Sequence, residues 1–145
     1  YLLNSFSYCF KSTDDYPATL KFTNLRKKTL INKEISIYSI PVKHGAINSN
    51  AFIINKKCAY LPDANKIDFR DLKFFKNLKY LVIDCLRYTY HPSHFNLSDV
   101  LELNKSLKPK KVILTNLHND IDYEKVKKFL PKNVVPAYDG MSLNI

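Results

Sequence analysis

The segment Tyr80–Phe95, YLVIDCLRYTYHPSHF, constrains this 145-residue chain more than any other. Tyr80, Leu81, Val82 and Ile83 are apolar without polar alternation, as in a strand buried on both faces. The run ends in Asp84, and the loop beyond it delivers His91 and His94 just before a helix start. In open α/β sheets, ligands bind in the loops past the carboxyl ends of such strands. Three more segments repeat the pattern of a hydrophobic run closed by a His or an Asp, at His44, Asp63 and His118.

The remaining elements fall around that strand. Tyr1–Phe10 alternates loosely and reads as a strand, followed by a polar loop through Asp14, Asp15 and Pro17. Period-two spacing of Ile35 and Ile37 makes 30–42 one half-buried strand, with Pro41 marking its end or a sheet edge. Segment 51–61 is a hairpin turning at Asn55-Lys56-Lys57, because Asn tolerates the left-handed conformation of a tight turn. Apolar residues at 69, 72, 74, 75 and 78 predict a short amphipathic helix. Asn96, with Asp99 three residues on, predicts a capped helix closed by Pro109. A buried strand over 111–117, a helix from Asp122 to Leu130 and a short strand at Val134-Val135 complete the order. Strands alternating with helices imply an α/β (α+β) layered fold in one domain.

Composition narrows the class. Hydrophobic content of 46% is globular, and no apolar run approaches the roughly 20 residues of a bilayer span. Without a basic leader ahead of an apolar core, the reading is cytoplasmic, with no membrane partner. The net charge of +10 comes from lysines scattered as pairs, without the interleaved aromatics of a single-strand groove, so nucleic acid is not the expected partner. Three cysteines without CxxC spacing are read as buried thiols. Both glycines follow a functional-looking residue, in His44-Gly45 and Asp139-Gly140. A start at Tyr1 with Met141 as sole methionine leads us to expect a fragment, a processed piece or half of a split gene.

All four histidines, His44, His91, His94 and His118, lie at strand exits or helix starts, and Asp63 is placed likewise. Imidazole and carboxylate together suit Zn, Mn or Fe. A carboxylate can bridge two metals about 3.5–4 Å apart, clamping the attacking and leaving oxygens of a displacement. No local pair such as HxxxH fixes a metal by itself.

The segments PVKHG (41–45), AYLPD (59–63), IDCLRYTYHPSHF (83–95), LTNLHNDIDYEKV (114–126) and PAYDGM (136–141) carry a resemblance. In order and spacing they resemble the later half of the metallo-β-lactamase-fold hydrolases, nearest the cyclic phosphodiesterase branch of phosphonate breakdown. The resemblance implies half of a four-layer αββα sandwich, with residues 1–145 a partial domain lacking its amino-terminal half. It implies His44 and His118 as ligands of a first and a second metal, and Asp63 as the carboxylate bridging them. It implies His94 as the group that contacts substrate phosphate and protonates the leaving oxygen, and Arg87 as a phosphate contact or an ordinary ion-pair former. His91 is structural or supports a ligand from behind. Asp84 orients a neighbouring ligand or caps its loop, and Asp139 serves the Gly140 turn or orients a ligand.

The family's His-x-His-x-Asp-His segment, which supplies most ligands to both metals, is absent from these 145 residues. The resemblance therefore implies a fragment of a dinuclear Zn or Mn phosphodiesterase that binds metal weakly or not at all and hydrolyses nothing alone. Its partners would be a small phosphodiester substrate and the missing half, or a second copy covering the exposed apolar surface. Two alternatives stay open: a non-enzymatic remnant or binding module, and a nucleic-acid-processing relative.

Overall fold

The computed structural model describes residues 1–24 and 27–145. Seven strands form one sheet in chain order: β1 (Lys28–Ile31), β2 (Ile35–His44), β3 (Ile47–Ile54), β4 (Cys58–Leu61), β5 (Tyr80–Asp84), β6 (Lys111–Thr115) and β7 (Val134–Pro136). Neighbours are antiparallel from β1 to β4 and parallel from β4 to β7. The tight connections are set by residues that accept positive φ: Asn32 (50°) and Lys33 (61°) between β1 and β2, Asn55 (50°) and Lys56 (53°) between β3 and β4. Two consecutive left-handed residues give the twist that right-handed strands require across a hairpin.

The parallel strands need crossovers. A 3₁₀ turn (Leu72–Phe75) leads into β5, helix α3 (Leu97–Leu107) joins β5 to β6, and helix α4 (Tyr123–Lys127) joins β6 to β7. Each crossover advances one strand in the same direction, so crossovers of one hand place all these segments on one face. There Phe75, Val100, Leu107 and Val126 pack with Ile40, Val42, Ala51, Ile53, Leu61, Leu81, Ile83, Val112 and Leu114 in one core. Asn96 caps α3 as expected, its side chain accepting from Asp99 N while the Asp99 carboxylate accepts from Asn96 N. Asp122 likewise caps α4 by accepting from Lys125 N.

None of the three crossovers lies on the opposite face, among the described residues. Strand alternation and register place Phe52, Tyr60, Val82, Ile113 and Val135 in one row across β3 to β7. Cys58 and Ile113 are buried in the pleat outside the main core cluster, whereas Tyr60 is 42% exposed. An apolar row on this face is what made YLVID and KVILT read as doubly buried strands.

Several expectations change. Tyr1–Phe10 is not a strand but two single helical turns, α1 (Leu2–Ser5) and α2 (Ser7–Phe10), neither with a buried residue. Leu2, Phe6 and Phe10 recur every four residues, a helical spacing that the loose alternation concealed. The expected single strand over 30–42 is a hairpin, broken at Asn32-Lys33, and β2 runs through Pro41 to His44. Pro41 is tolerated because β1 pairs only with residues Ile35 to Tyr38, leaving β2 an edge strand on that side. The helix expected over 69–78 shrinks to the 3₁₀ turn, with Phe69 86% exposed. Helix α4 stops at Lys127, before the expected Leu130. None of the helices is long and apolar enough to cross a membrane, among the described residues.

Helix α3 ends on Lys108 with φ 52° and ψ 49°, a left-handed position that favours glycine. Lys108→Gly is expected to raise unfolding stability by about 0.5–1 kcal/mol, read from denaturant midpoints at unchanged slope. Leu81→Ala, at a fully buried position in the central strand, is expected to cost about 2–5 kcal/mol by the same measurement. The Cys85 thiol is pushed up to about 12 by burial, with the Asp84 and Asp99 carboxylates adding to it. In the folded chain it should therefore resist thiol reagents at pH 8, and react at once in denaturant.

Candidate metal centre at the strand ends

The candidate residues gather where β2, β4, β5 and β6 end. His44 is the last residue of β2, Asp63 lies two residues past β4, Asp84 closes β5, and His94 precedes the cap of α3. One donor atom from each of His44, Asp63 and His94 lies within 4.8 Å of the others, the one such group of three among the described residues. The His44 and His94 rings meet edge to face, with centroids 4.6 Å apart.

Each imidazole is held from behind. His44 Nδ1 lies 2.8 Å from the Ser93 carbonyl, to which it donates. His94 Nδ1 lies 2.5 Å from Asp84 Oδ2. Both partners are acceptors, so both rings carry their proton on Nδ1 and keep an unprotonated Nε2 with a free lone pair. A carbonyl or carboxylate behind a ring is the support that metal-ligating histidines show.

Asp84 is fully buried and collects three contacts: His94 and the Ala64 amide on Oδ2, and Asn116 Nδ2 on Oδ1 at 3.1 Å. Burial pushes its carboxyl above the usual carboxylate range, while the hydrogen bonds from His94, Ala64 N and Asn116 pull it back towards the charged form. The carboxylate thus meets both the His94 ring and the loop amide of Ala64. Asn116, which the sequence reading quoted only within LTNLH, is a residue that reading missed. It takes φ 58°, a conformation Asn accepts more readily than most residues, and this turns its amide onto Asp84.

The loops around the cluster are tied together. Gly45 donates its amide to Asn65 Oδ1 at 3.0 Å, and Asn65 Nδ2 donates to the Pro92 carbonyl at 2.8 Å. Gly45 has φ +60°, and a Cβ there would lie 3.2 Å from Ser93 Oγ. Glycine thus satisfies both the turn and the approach of the 92–93 loop that holds His44. Gly140 has φ +89° with open space around it, so only its turn requires glycine.

The other candidates lie outside the group of three. His91 stacks beside His94 at 5.0 Å between centroids and accepts from Ser93 N through Nδ1. Desolvation holds it below the ordinary imidazole value, with the Arg87 guanidinium and the His94 ring adding. Arg87 Nη2 donates to the Tyr90 carbonyl at 2.6 Å, while its Nε is buried without a partner among the described residues. His118 is outside the cluster: its amide donates to Leu86 O, and its half-exposed ring pairs with Asp120 at 3.0 Å. Asp139 is exposed in the turn closed by Met141 N to Tyr138 O.

The Asp84 contact should decide the tautomer of His94. Imidazole ¹⁵N shifts are expected to report Nδ1–H at both His44 and His94 in the parent chain. In Asp84→Asn, whose amide can donate to His94 Nδ1, the proton on His94 should move to Nε2 while His44 is unchanged. An unchanged His94 would show that the carboxylate does not fix the ring.

No family model and no curated protein matches the chain. Solved structures do. A new diphosphatase from the PhnP family superposes with a TM-score of 0.86 at 24% identity, over 99% of this chain and 54% of that one. The metallo-β-lactamase-fold protein YhfI from Bacillus subtilis gives 0.68 at 17% identity, covering 83% of this chain and 52% of its own. The short form of human tRNase Z gives 0.62 at 15% identity, covering 81% and 46% respectively. The chain spans about half the length of each of these structures, and its fold is that of half a metallo-β-lactamase-type domain.

Proposed function

We propose that the chain is the carboxy-terminal half of a dinuclear metal-dependent hydrolase that cleaves phosphodiesters, active only when a complementary half completes the metal ligands. The observation that carries this reading is the convergence of His44, Asp63 and His94 from separate strand ends to within 4.8 Å. Nitrogen and carboxylate donors of this kind fit Zn or Mn. The ions would supply Lewis-acid polarisation of the phosphoryl group and activation of water.

In the assembled enzyme His44, Asp63 and His118 would be the residues by which this chain helps to hold the two ions. His118 would have to leave Asp120, an exchange within reach of a half-exposed ring. His94, backed by Asp84, is placed to hand a proton to the leaving oxygen. Imidazole as a side chain can serve as a general acid through either ring nitrogen. Arg87 can offer its buried, unpartnered Nε–H to phosphate after a local shift of the Tyr88–His91 loop. His91, which accepts from Ser93 N, supports the loop around the site, and Asp139 serves the Gly140 turn. The sheet face opposite the crossovers, with its row from Phe52 to Val135, is where the complementary half would bury apolar surface.

The net charge of +10 favours one second reading, in which the phosphodiester belongs to a nucleic acid. That reading requires binding that falls steeply with salt; flat salt dependence removes it.

The test is a fusion of this chain to the part of the PhnP-family diphosphatase that it leaves uncovered, assayed on a generic phosphodiester with Mn or Zn. Turnover is expected, and His94→Ala should lower it about 10²–10⁴-fold, with less effect on KM. A folded, metal-loaded fusion no faster than its His94→Ala variant contradicts the proposal and favours a remnant that only binds.

A further inference from the structure

We infer that in this chain by itself His94 is a metal ligand: with His44 and Asp63 it holds one divalent ion through two imidazoles and a carboxylate. The inference rests on the hydrolase reading for His44 and Asp63, and departs from it at His94, which there acts as a proton donor.

Three independent features point this way. The donors of His44, Asp63 and His94 are already within 4.8 Å of one another, whereas His118 stands outside and spends its Nδ1 on Asp120. Both ring Nδ1 atoms are engaged, by Ser93 O and by Asp84, leaving a single nitrogen on each for an ion. The support behind His94 is the strongest in the site: a fully buried carboxylate, itself fixed by Asn116 and the Ala64 amide. A carboxylate behind an imidazole raises its basicity and locks its orientation, and such partners accompany metal-bound histidine.

The set also fits the demands of an ion. Tetrahedral donors about 2.1 Å from a metal stand about 3.4 Å apart, so the widest pair must close by up to roughly 1.4 Å. Asp63 can supply that movement, being exposed and without a hydrogen bond to its carboxylate among the described residues. Two histidines and one carboxylate leave open positions and suit Zn, Mn, Co or Fe.

The arrangement has a regulatory consequence. The nitrogen of His94 that binds the ion cannot also protonate a leaving oxygen. The half-chain is therefore loaded yet silent, and His94 becomes free only when the complementary half brings ligands that take over the ion.

The probe is Co²⁺ alone, titrated into the full 145-residue chain and followed by its visible d–d absorption, with thermal melts confirming that every variant folds. One ion per chain is expected. His44→Ala, Asp63→Ala and His94→Ala should each abolish the signal, and His118→Ala should leave it in place. Asp84→Asn should weaken binding about 10–100-fold without removing a ligand. Loss of the signal in His118→Ala with retention in His94→Ala overturns the inference. So does a folded parent chain that takes up no cobalt. Neither result touches the hydrolase reading, which stands or falls on turnover by the fusion.

Discussion

The buried carboxylate of Asp84 is the contact on which the rest of the site depends. A carboxylate with no exposure is costly unless its oxygens are satisfied. Here the satisfaction comes from three different loops: Ala64 after β4, His94 before α3, and Asn116 after β6. One group at the end of the central strand thereby fixes the orientation of a catalytic candidate and the mutual position of three strand exits. Removing it would leave an amide and an imidazole without their acceptor, at about 1–3 kcal/mol for each buried group left unpaired.

The sheet explains why such a site stands at the rim, past the strand ends. Strands that follow one another in space as in sequence send all their crossovers to one face, where the core is closed by α3, α4 and the 3₁₀ turn. The other face keeps a row of aromatic and branched side chains from Phe52 to Val135. Sheets with parallel strands are ordinarily covered on both sides. The half-length superposition on the diphosphatase fits the same picture, since the uncovered part of that chain is of similar size to this one.

Much of this was legible in the residues. Asn55-Lys56 announced its hairpin, Asn96 and Asp99 announced the capping box, and the doubly apolar YLVID announced a central strand. What escaped depended on context. Asn32-Lys33 makes the same left-handed turn as Asn55-Lys56, but it lies inside a run whose isoleucines alternate across the turn. Pro41 reads as a strand end until the shortness of β1 is known. The stripe at 69–78 has helical spacing and packs from Leu72 to Leu78, but Phe69 stays exposed and only one 3₁₀ turn forms. At the site, strand exits marked His44, Asp63, His94 and His118 alike, but spacing alone could not reveal that His94, and not His118, would join His44 and Asp63 in one group. The two rings have different partners, Asp84 for His94 and Asp120 for His118. Asn116 was invisible as a site residue because an amide after a strand carries no chemical signature until its partner is seen.

The central claim is that the fold of this chain, without metal or partner, already brings the imidazoles at 44 and 94 together. Proton–proton nuclear Overhauser contacts between these two rings in the metal-free chain test it most directly, because their centroids stand 4.6 Å apart, edge to face. A strong cross-peak between ring protons of His44 and His94, with none from either to His118, is the predicted result. A spectrum whose core resonances are well dispersed but which lacks that cross-peak would contradict it.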